Sequence, residues 1–261
     1  MMRMALGVEY DGAAFSGWQT QPGGNTVQDA LQEALAVIAG SPVAVVAAGR
    51  TDAGVHGSGQ VVHFDTDADR PDSAWVRGTN TYLPPALAVR WSRGVASDFH
   101  ARFSATGRHY RYFLLNRPIR PAILAGTAGW FHRPLDVEAM SSAAESLLGR
   151  HDFTSFRAAS CQARTPIREL RRAEIRRVGD LVIFDFAADA FLHHMVRNLV
   201  GALVYVGKGS LQPSALPELL AERDRRRAPP TFAADGLYLV RVDYDERWSI
   251  PCPADPPLPF P

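Results

Sequence analysis

Residues 47–64 read AAGRTDAGVHGSGQVVHF. An apolar run leads into Arg50 and Asp52, glycines follow, and a second apolar run begins after Gln60. The glycines match neither a dinucleotide fingerprint nor a P-loop, because a strand-like segment follows them instead of a helix. Asp52 is the reactive candidate, since a nearby arginine favours an ionised carboxylate, which can act as nucleophile or base. The alternative is a plain turn residue, the commoner role of aspartate at a strand end.

The chain has 261 residues, 46% of them hydrophobic and 21% charged, which is typical of a globular protein large enough for two lobes. No window of about eighteen apolar residues occurs, and Glu9 comes too soon for a signal peptide. We therefore expect a cytoplasmic protein without a membrane partner. The two cysteines, Cys161 and Cys252, lack C-x-x-C spacing, which argues against a disulfide framework or a thiolate metal site.

Positive charge is distributed unevenly. The net charge of +1 argues against a strong non-specific polyanion binder, yet residues 99–135 contain no acidic residue. Aromatic residues alternate in this segment with arginines, a composition suited to phosphates and unstacked bases. The arginines are Arg102, Arg108, Arg111, Arg117, Arg120 and Arg133. The alternative is a general preference for arginine, which would place these residues on solvated faces.

Helix and strand periodicities follow one another without strict alternation. The clearest predicted helix covers residues 26–39, with Thr26 as its cap, and residues 136–149 repeat this plan. Further helices are predicted at residues 73–82, 190–206 and 214–222. Strands are predicted at residues 6–10, 60–66, 88–91, 109–115, 169–177, 180–187 and 236–244.

This order of elements predicts the α+β fold class. We expect two similar sub-domains, each a largely antiparallel sheet with helices packed on one face, and an active cleft between them. The N-terminal sub-domain would cover residues 1–105 and carry the catalytic loop, and the C-terminal one residues 106–250. Residues 251–261 are rich in proline and predict an irregular surface tail.

The segment AFLHHMVRNLVGALVYVG, residues 190–207, predicts a buried helix that carries Arg197 near its centre. An unpaired guanidinium there would be costly, so a carboxylate partner is expected. Asp52 is the first candidate, while Asp185, Asp189 or solvent are alternatives. His193, one turn earlier, could share the face of Arg197. Adjacent histidines without a nearby cysteine or glutamate make a poor zinc site, so no metal is expected.

Residues 109–112, HYRY, fall on a predicted strand. Tyr110 and Tyr112 share one face of that strand because side chains alternate along it. Two tyrosines on one face usually belong to the core, but they can also form a platform for a flipped base.

Seven segments together resemble one known family. They are YDGAAFSGWQTQPGGNTVQDAL, AGRTDAGVHGSGQVVHF, NTYLPPALAVRW, DFHARFSATGRHYRYFLLN, LLGRHDFTSFRA with CQARTPIREL, FLHHMVRNLVG and GLYLVRVDY. In this order they resemble the bacterial tRNA pseudouridine synthase A family over nearly the whole chain. The segment GRTDAGVHG alone is highly specific.

The resemblance implies a role for each matched residue. Asp52 would be the catalytic nucleophile, Arg50 would help to hold the target base outside the helix, Tyr110 would contact that base, and Arg197 would pair with Asp52. The positions that match tRNA-contacting parts are Arg70, Phe99, His100, Ala101, Arg102, Phe103, Ser160, Cys161, Gln162, Ala163 and Arg164. The family acts on uridines 38, 39 and 40 of the tRNA anticodon arm, works as a homodimer and needs no cofactor.

Two other classes of function remain open at this point. One is an RNA-binding or folding factor on the same scaffold that has lost catalysis, which would bind tRNA without forming product. The other is a carboxylate-based hydrolase acting on nucleosides, which would normally need a second acid or a metal. No such acid is evident beside Asp52, since Asp65 and Asp67 follow a strand and are expected to be exposed.

Overall fold

The computed structural model describes residues 1–252, which form two compact units. The first contains Met1–Thr106 together with residues 238–252, and the second contains Gly107–Leu237. Most of the predicted proline-rich tail, from residue 253 to the end, lies outside the described residues. The sequence-based division assigned residues 238–250 to the second sub-domain. They lie in the first unit because their strand pairs with the strand that follows the Asp52 loop, Tyr238 opposite His56.

In chain order, the strands are β1 Met2–Tyr10, β2 Val46–Ala47, β3 His56–Thr66, β4 Leu87–Val95, β5 Ala105–Asn116, β6 Gly129–Phe131, β7 Gly149–Asp152, β8 Ile167–Val178, β9 Leu181–Ala188 and β10 Leu237–Tyr244. The helices are α1 Val27–Ala39, α2 Thr79–Tyr82, α3 Val137–Glu145, α4 Met195–Gly207 and α5 Ala215–Glu222. The predicted α+β fold class is therefore confirmed. All seven predicted strands exist, while the short strands β2, β6 and β7 escaped prediction because two to four residues carry too little periodicity.

The sheet of the first unit has the strand order β4-β1-β3-β10, with β2 also paired to β3. β1 is antiparallel to both β3 and β4, and β10 is parallel to β3. One face of β1 carries Met4, Leu6, Val8 and Tyr10, all of them buried. Strand periodicity thus directs these side chains into one hydrophobic core with α1.

Helix α1 begins and ends where its sequence predicts. The Thr26 hydroxyl accepts a hydrogen bond from the Asp29 backbone N–H at 3.2 Å, and Gly40 ends the helix in the left-handed conformation with φ 72°. The helix predicted at residues 73–82 is divided into a five-residue π-helical turn, Ala74–Gly78, and the short α2. α2 ends at Tyr82 because Leu83 precedes a proline and is extended.

The sheet of the second unit has the order β5-β9-β8-β7, all antiparallel, and β6 runs parallel to β5. Helix α3 is capped by Asp136 as predicted. It ends at Glu145, four residues before the predicted end, because Gly149 already pairs with Leu170 as the start of β7. Pairing in the sheet here overrides a helical pattern.

Helix α4 begins at Met195 and not at residue 190, because His194 adopts the left-handed conformation with φ 61°. Eleven of its thirteen residues are buried, as the apolar pattern predicted. Two expectations were wrong in consequence. Arg197 lies in the first turn of α4 and not near its centre, and His193 precedes the helix, so it cannot share a helical face with Arg197.

No helix within residues 1–252 is long and apolar enough to cross a membrane.

Candidate active site

The loop that carries Asp52, residues 49–55, is fixed to the first unit through Thr51. The buried Thr51 hydroxyl lies 2.9 Å from the Tyr10 hydroxyl, and the Thr51 carbonyl accepts a hydrogen bond from the Trp18 N–H at 3.0 Å. The Gln60 amide donates to the Gly49 carbonyl at 2.7 Å. Desolvation raises the pKa of Tyr10 to about 12, so this phenol stays protonated as a hydrogen-bonding group. The residue before Asp52 is therefore held by its side chain and by its backbone.

The C-terminal end of this loop is held by hydrogen bonds at Gly12. The Gly54 N–H donates to the Gly12 carbonyl at 3.2 Å, and the Gly12 N–H donates to Nδ1 of His56 at 3.1 Å. A Cβ on residue 12 would lie 2.1 Å from the Val55 carbonyl oxygen, so only glycine fits there. The Asp52 carbonyl accepts from the Val55 N–H at 3.1 Å, which closes a tight turn. Asp52 is thus a turn residue by its backbone, and it is half-buried.

Arg50 stands apart from the strands that flank the Asp52 loop. It lies beyond the end of β2, is exposed, and forms no ion pair with any residue in the described part of the chain. Arg50 and Asp52 do not share a strand face, because β2 ends at Ala47 and β3 begins at His56. Its guanidinium is turned to solvent, where a polyanion can reach it. Arg70 is likewise exposed and donates to the Ile38 carbonyl at 3.3 Å.

The segment Phe99–Phe103 divides into buried and exposed residues. Phe99 is fully buried and packs against Tyr244 and Trp248, with ring centroids 5.2 and 5.3 Å away. Ala101 is also fully buried, and its carbonyl accepts from the Tyr244 hydroxyl at 2.6 Å. Arg3 donates to the Phe99 carbonyl at 2.8 Å. These two residues hold the segment to the first unit and have no side-chain surface to offer a ligand.

The side chains of Arg102 and Phe103 in this segment face outward. Phe103 is 77% exposed, its ring lies 4.3 Å from the His100 ring, and the Arg102 guanidinium lies 5.7 Å from the Phe103 ring centroid. An exposed aromatic ring beside a guanidinium is the combination that favours an unstacked base and a phosphate.

His63, beneath this segment, should make stability depend on pH. Its Nδ1 accepts from the Ala101 N–H at 3.1 Å, and burial, followed by the nearby His100 and Arg3, lowers the pKa of His63 to about 4. Because the folded-state pKa is below the ordinary value of 6.5, the unfolded chain binds the proton more tightly. His63 therefore reduces stability as pH falls from about 6.5 to about 4.

The variant His63→Asn tests this pH dependence, since an asparagine Oδ1 can accept the same hydrogen bond without titrating. Between neutral pH and about pH 4 the wild type should lose on the order of 1–2 kcal/mol more unfolding free energy than the variant, a figure discounted for residual hydration of the ring. Urea titrations over this range measure the difference. Parallel stability curves for the two proteins would contradict the assignment.

The loop of residues 160–164 belongs to the second unit. The Ser160 hydroxyl lies 3.2 Å from Nδ1 of His193, and Arg157 donates to the Cys161 carbonyl at 3.0 Å. The His193 carbonyl accepts from the Ala158 N–H at 2.9 Å, so the loop is joined to the segment that enters α4. Gln162 and Arg164 are exposed and Ala163 is half-buried.

The two tyrosines of β5 have different surroundings. Tyr112 is fully buried and its hydroxyl donates to the Ala233 carbonyl at 3.0 Å, so it belongs to the core, and burial raises its pKa far above the usual range. Tyr110 is 9% exposed and meets the Phe191 ring edge to face at 5.1 Å. Of the pair predicted to form a platform, only Tyr110 keeps any exposed surface.

The two acids named as alternative partners of Arg197 contact other groups. Asp185 pairs through Oδ1 with Arg111 at 2.6 Å and through Oδ2 with Arg176. Asp189 accepts hydrogen bonds from backbone N–H groups of residues 169 and 190. The Arg197 Nε donates to the Phe232 carbonyl at 2.9 Å, which fixes the root of its guanidinium.

Sequence reasoning missed the residues that support the Asp52 loop. Gln60 is fully buried on the strand face that also carries Val62 and Phe64. Its amide donates a hydrogen bond to the Tyr10 hydroxyl on β1 at 3.4 Å. The available signal was a polar residue at a core position of an alternating strand. Such a residue needs a buried hydrogen-bond partner.

Comparison with known proteins gives the class of this molecule. A family model described as tRNA pseudouridine synthase matches residues 7–104 and 143–245. The chain therefore belongs to the tRNA pseudouridine synthase family and is an isomerase that acts on tRNA uridine.

Individual relatives are more specific. The chain is 59% identical over 254 residues to tRNA pseudouridine synthase A of Dechloromonas aromatica, covering 97% of each protein, and 62% identical over 251 residues to the protein of the same name from Chromobacterium violaceum, covering 96% of each. A solved structure of an unknown protein from Galdieria sulphuraria aligns over 78% of this chain and 91% of that chain with 12% identity and a TM-score of 0.21, which does not indicate a shared fold.

Proposed function

We propose that this protein converts uridine to pseudouridine at positions 38, 39 and 40 of the tRNA anticodon stem-loop, with Asp52 as the nucleophile and the target base flipped out of its stack. The observation that carries the proposal is the similarity to proteins named tRNA pseudouridine synthase A over nearly the whole chain, with the half-buried Asp52 in a loop fixed at both ends.

The chemistry needs few groups. The N1–C1′ bond breaks, the uracil turns while bound, C5 bonds to C1′, the C5 proton is lost and N1 gains a proton. No electrons are exchanged with another molecule, so the scheme requires no cofactor. Asp52 could attack C1′, add to the base or remove a ribose proton, and the scheme holds for each of these. The turn from Asp52 to Val55 fixes the backbone that carries the carboxylate, which favours reaction by pre-orientation.

Reaching the uridine costs the unstacking energy of one base, a few kcal/mol, which contacts to the extruded nucleotide must offset. In our scheme Tyr110 contacts the base, Arg50 holds it outside the helix, and Arg197 pairs with Asp52. The exposed residues Phe103, Arg102, Arg70, Gln162 and Arg164 would meet the tRNA directly. We propose that Phe99, His100, Ala101, Ser160, Cys161 and Ala163 shape the backbone of the two tRNA-contacting segments. We further propose a cytoplasmic homodimer.

Incubation with an unmodified tRNA transcript separates the three classes of function. The isomerase produces pseudouridine and releases no uracil. A binding factor retains the tRNA without any product, and a hydrolase releases free uracil. Nucleoside analysis of the RNA and of the released bases measures all of these, and either of the last two results would overturn the proposal.

We expect tRNA affinity to fall steeply with salt. Several exposed arginines lack an acidic partner among residues 1–252, and each phosphate that they neutralise contributes about 0.7–0.9 to the slope of log K against log salt. These arginines are Arg50, Arg70, Arg120, Arg133 and Arg164.

The variant Arg164→Gln should lower that slope by about 1 with a general loss of affinity. The matched control is Arg227→Gln, because Arg227 is also exposed but pairs with Glu222 at 3.3 Å. Binding titrations at several salt concentrations measure both slopes. A flat salt dependence of the wild type would rule out this phosphate-binding surface.

A further inference from the structure

Residues 223–227, RDRRR, resemble a nucleic-acid-binding run, but most of its charge is neutralised. The exposed Arg223 pairs with Asp152 at 3.4 Å, Arg226 with Asp224 at 2.7 Å, and Arg227 with Glu222 at 3.3 Å. Arg225 differs, since it is half-buried and has no ion pair within the described residues. Its environment therefore indicates a role other than a surface ion pair.

The Arg225 guanidinium makes four hydrogen bonds to neutral acceptors. Nη1 donates to the carbonyls of Ala228 at 3.0 Å and Pro229 at 2.8 Å, while Nη2 donates to Oδ1 of Asn198 at 3.0 Å and to Oγ1 of Thr231 at 3.1 Å. Burial lowers its pKa. The planar fork of arginine can reach four acceptors in one geometry, which a lysine ammonium cannot reproduce.

The two side-chain acceptors are neighbours in sequence of a second bonded pair. Asn198 directly follows Arg197, and Thr231 directly precedes Phe232. Asn198 is buried, its Nδ2 donates to the Phe156 carbonyl at 2.7 Å, and its Oδ1 also accepts from the Thr231 hydroxyl at 2.7 Å. The next pair along, Arg197 and Phe232, is joined by two hydrogen bonds, from the Phe232 N–H to the Arg197 carbonyl at 3.2 Å and from the Arg197 Nε to the Phe232 carbonyl at 2.9 Å.

These contacts require the chain before Phe232 to lie close against α4. Gly201, one turn after Arg197, permits this, because a Cβ there would lie 2.3 Å from the Pro230 carbonyl oxygen. Arg225 thus braces two adjacent segments at the point where their backbones meet. Hydrogen bonds join the first turn of α4 to the residues around Phe232, and Arg225 is hydrogen-bonded to both segments.

We propose that Arg225 is a positioning residue for uridine isomerisation, which fixes the Arg197 guanidinium by locking Asn198 to Thr231. The proposal rests on the proposed function, in which Arg197 serves Asp52. Loss of Arg225 would displace the Arg197 guanidinium and so lower the rate of the chemical step. The affinity for tRNA would stay unchanged, since Arg225 itself offers no free charge to the RNA.

The test compares Arg225→Met, Arg225→Lys and the exposed control Arg227→Gln. We expect kcat, from multiple-turnover pseudouridine formation with tRNA in excess, to fall about 10–100-fold for both Arg225 variants, the effect of a misplaced catalytic group. The dissociation constant for tRNA and the salt slope should stay within about twofold of wild type, the resolution expected of such titrations. Arg227→Gln should match wild type. All rates are taken well below the melting temperature of each variant, so unfolding does not contribute.

A double-mutant cycle tests whether Arg225 acts through Arg197. If it does, Arg197→Met with Arg225→Met is no slower than Arg197→Met alone, since coupled residues are not additive. A normal kcat for Arg225→Met, full rescue by lysine, a loss of affinity with a lower salt slope, or fully multiplicative losses in the double variant would each overturn the proposal.

If Arg225→Met does not fold, Thr231→Val removes the hydroxyl bridge to Asn198 with almost no change of shape. A folded Thr231→Val variant with reduced kcat and unchanged affinity supports the proposal, and one with normal kcat overturns it. A wild-type protein that forms no pseudouridine is a different result, because it removes the proposed function itself.

Discussion

The Asp52→Asn variant is expected to bind tRNA with near-normal affinity and to form pseudouridine at least about 10⁴-fold more slowly than the wild type, as the loss of a nucleophile requires. The carboxamide has almost the shape of the carboxylate but neither its charge nor its nucleophilic oxygen. The contacts that fix the loop use the Asp52 carbonyl, Thr51 and Gly54, so the substitution leaves these anchors in place.

Single-turnover assays with excess protein measure this loss, and gel-shift titrations measure the affinity. The matched control is Asp69→Asn, which removes one carboxylate from an exposed position of the same unit and should match wild type in rate. Wild-type product formation by Asp52→Asn would remove the carboxylate from the mechanism. A loss of affinity equal to the loss of rate would make Asp52 a binding residue instead.

The second large effect is expected for Arg197→Met, which should slow turnover about 10²-fold or more, the usual result of removing a preorganised charge from a reacting centre. In our proposal Arg197 pairs with Asp52 and orients its carboxylate. The variant should fold, because methionine is apolar and nearly as long as the arginine stem, and α4 is buried along most of its length.

The variant Arg197→Lys separates the effect of the positive charge from the effect of the hydrogen bond to Phe232. Lysine keeps the positive charge but has no Nε–H to donate to the Phe232 carbonyl, so we expect a rate between those of wild type and Arg197→Met. Circular dichroism melts confirm folding before the rates are compared. Near-normal turnover of Arg197→Met would mean that the pairing with Asp52 is misassigned.

The predictions from sequence succeeded where periodicity and capping act locally. Helix α1 is specified by Thr26 and Gly40, and the alternation in β3 directs Val62 and Phe64 into the core. The start of α4 could not be predicted, since a left-handed His194 inside an apolar run leaves no mark in the residue pattern. The placement of β10 also depends on long-range pairing, because Gly59 lies against the Val240 carbonyl, 181 residues away in sequence.

The residues of the candidate site also differ in how clearly the sequence marks them. Asp52 was singled out because an arginine and several glycines surround its carboxylate at a strand end, and its catalytic role stays a prediction. The support from Tyr10 and Gln60 escaped notice, since each polar group is one member of an otherwise regular strand. Arg225 was hidden for another reason. In sequence it is one of several arginines in a row, and only its four neutral acceptors distinguish it from its ion-paired neighbours.

The proposed activity is tested by mapping pseudouridine at single-nucleotide resolution in one unmodified tRNA transcript after incubation with the wild-type protein. The transcript should carry uridine at positions 38, 39 and 40 and also in its other arms. We predict pseudouridine at those three positions and none elsewhere. Pseudouridine confined to another arm, or tRNA that is bound and returned without any pseudouridine, would contradict it.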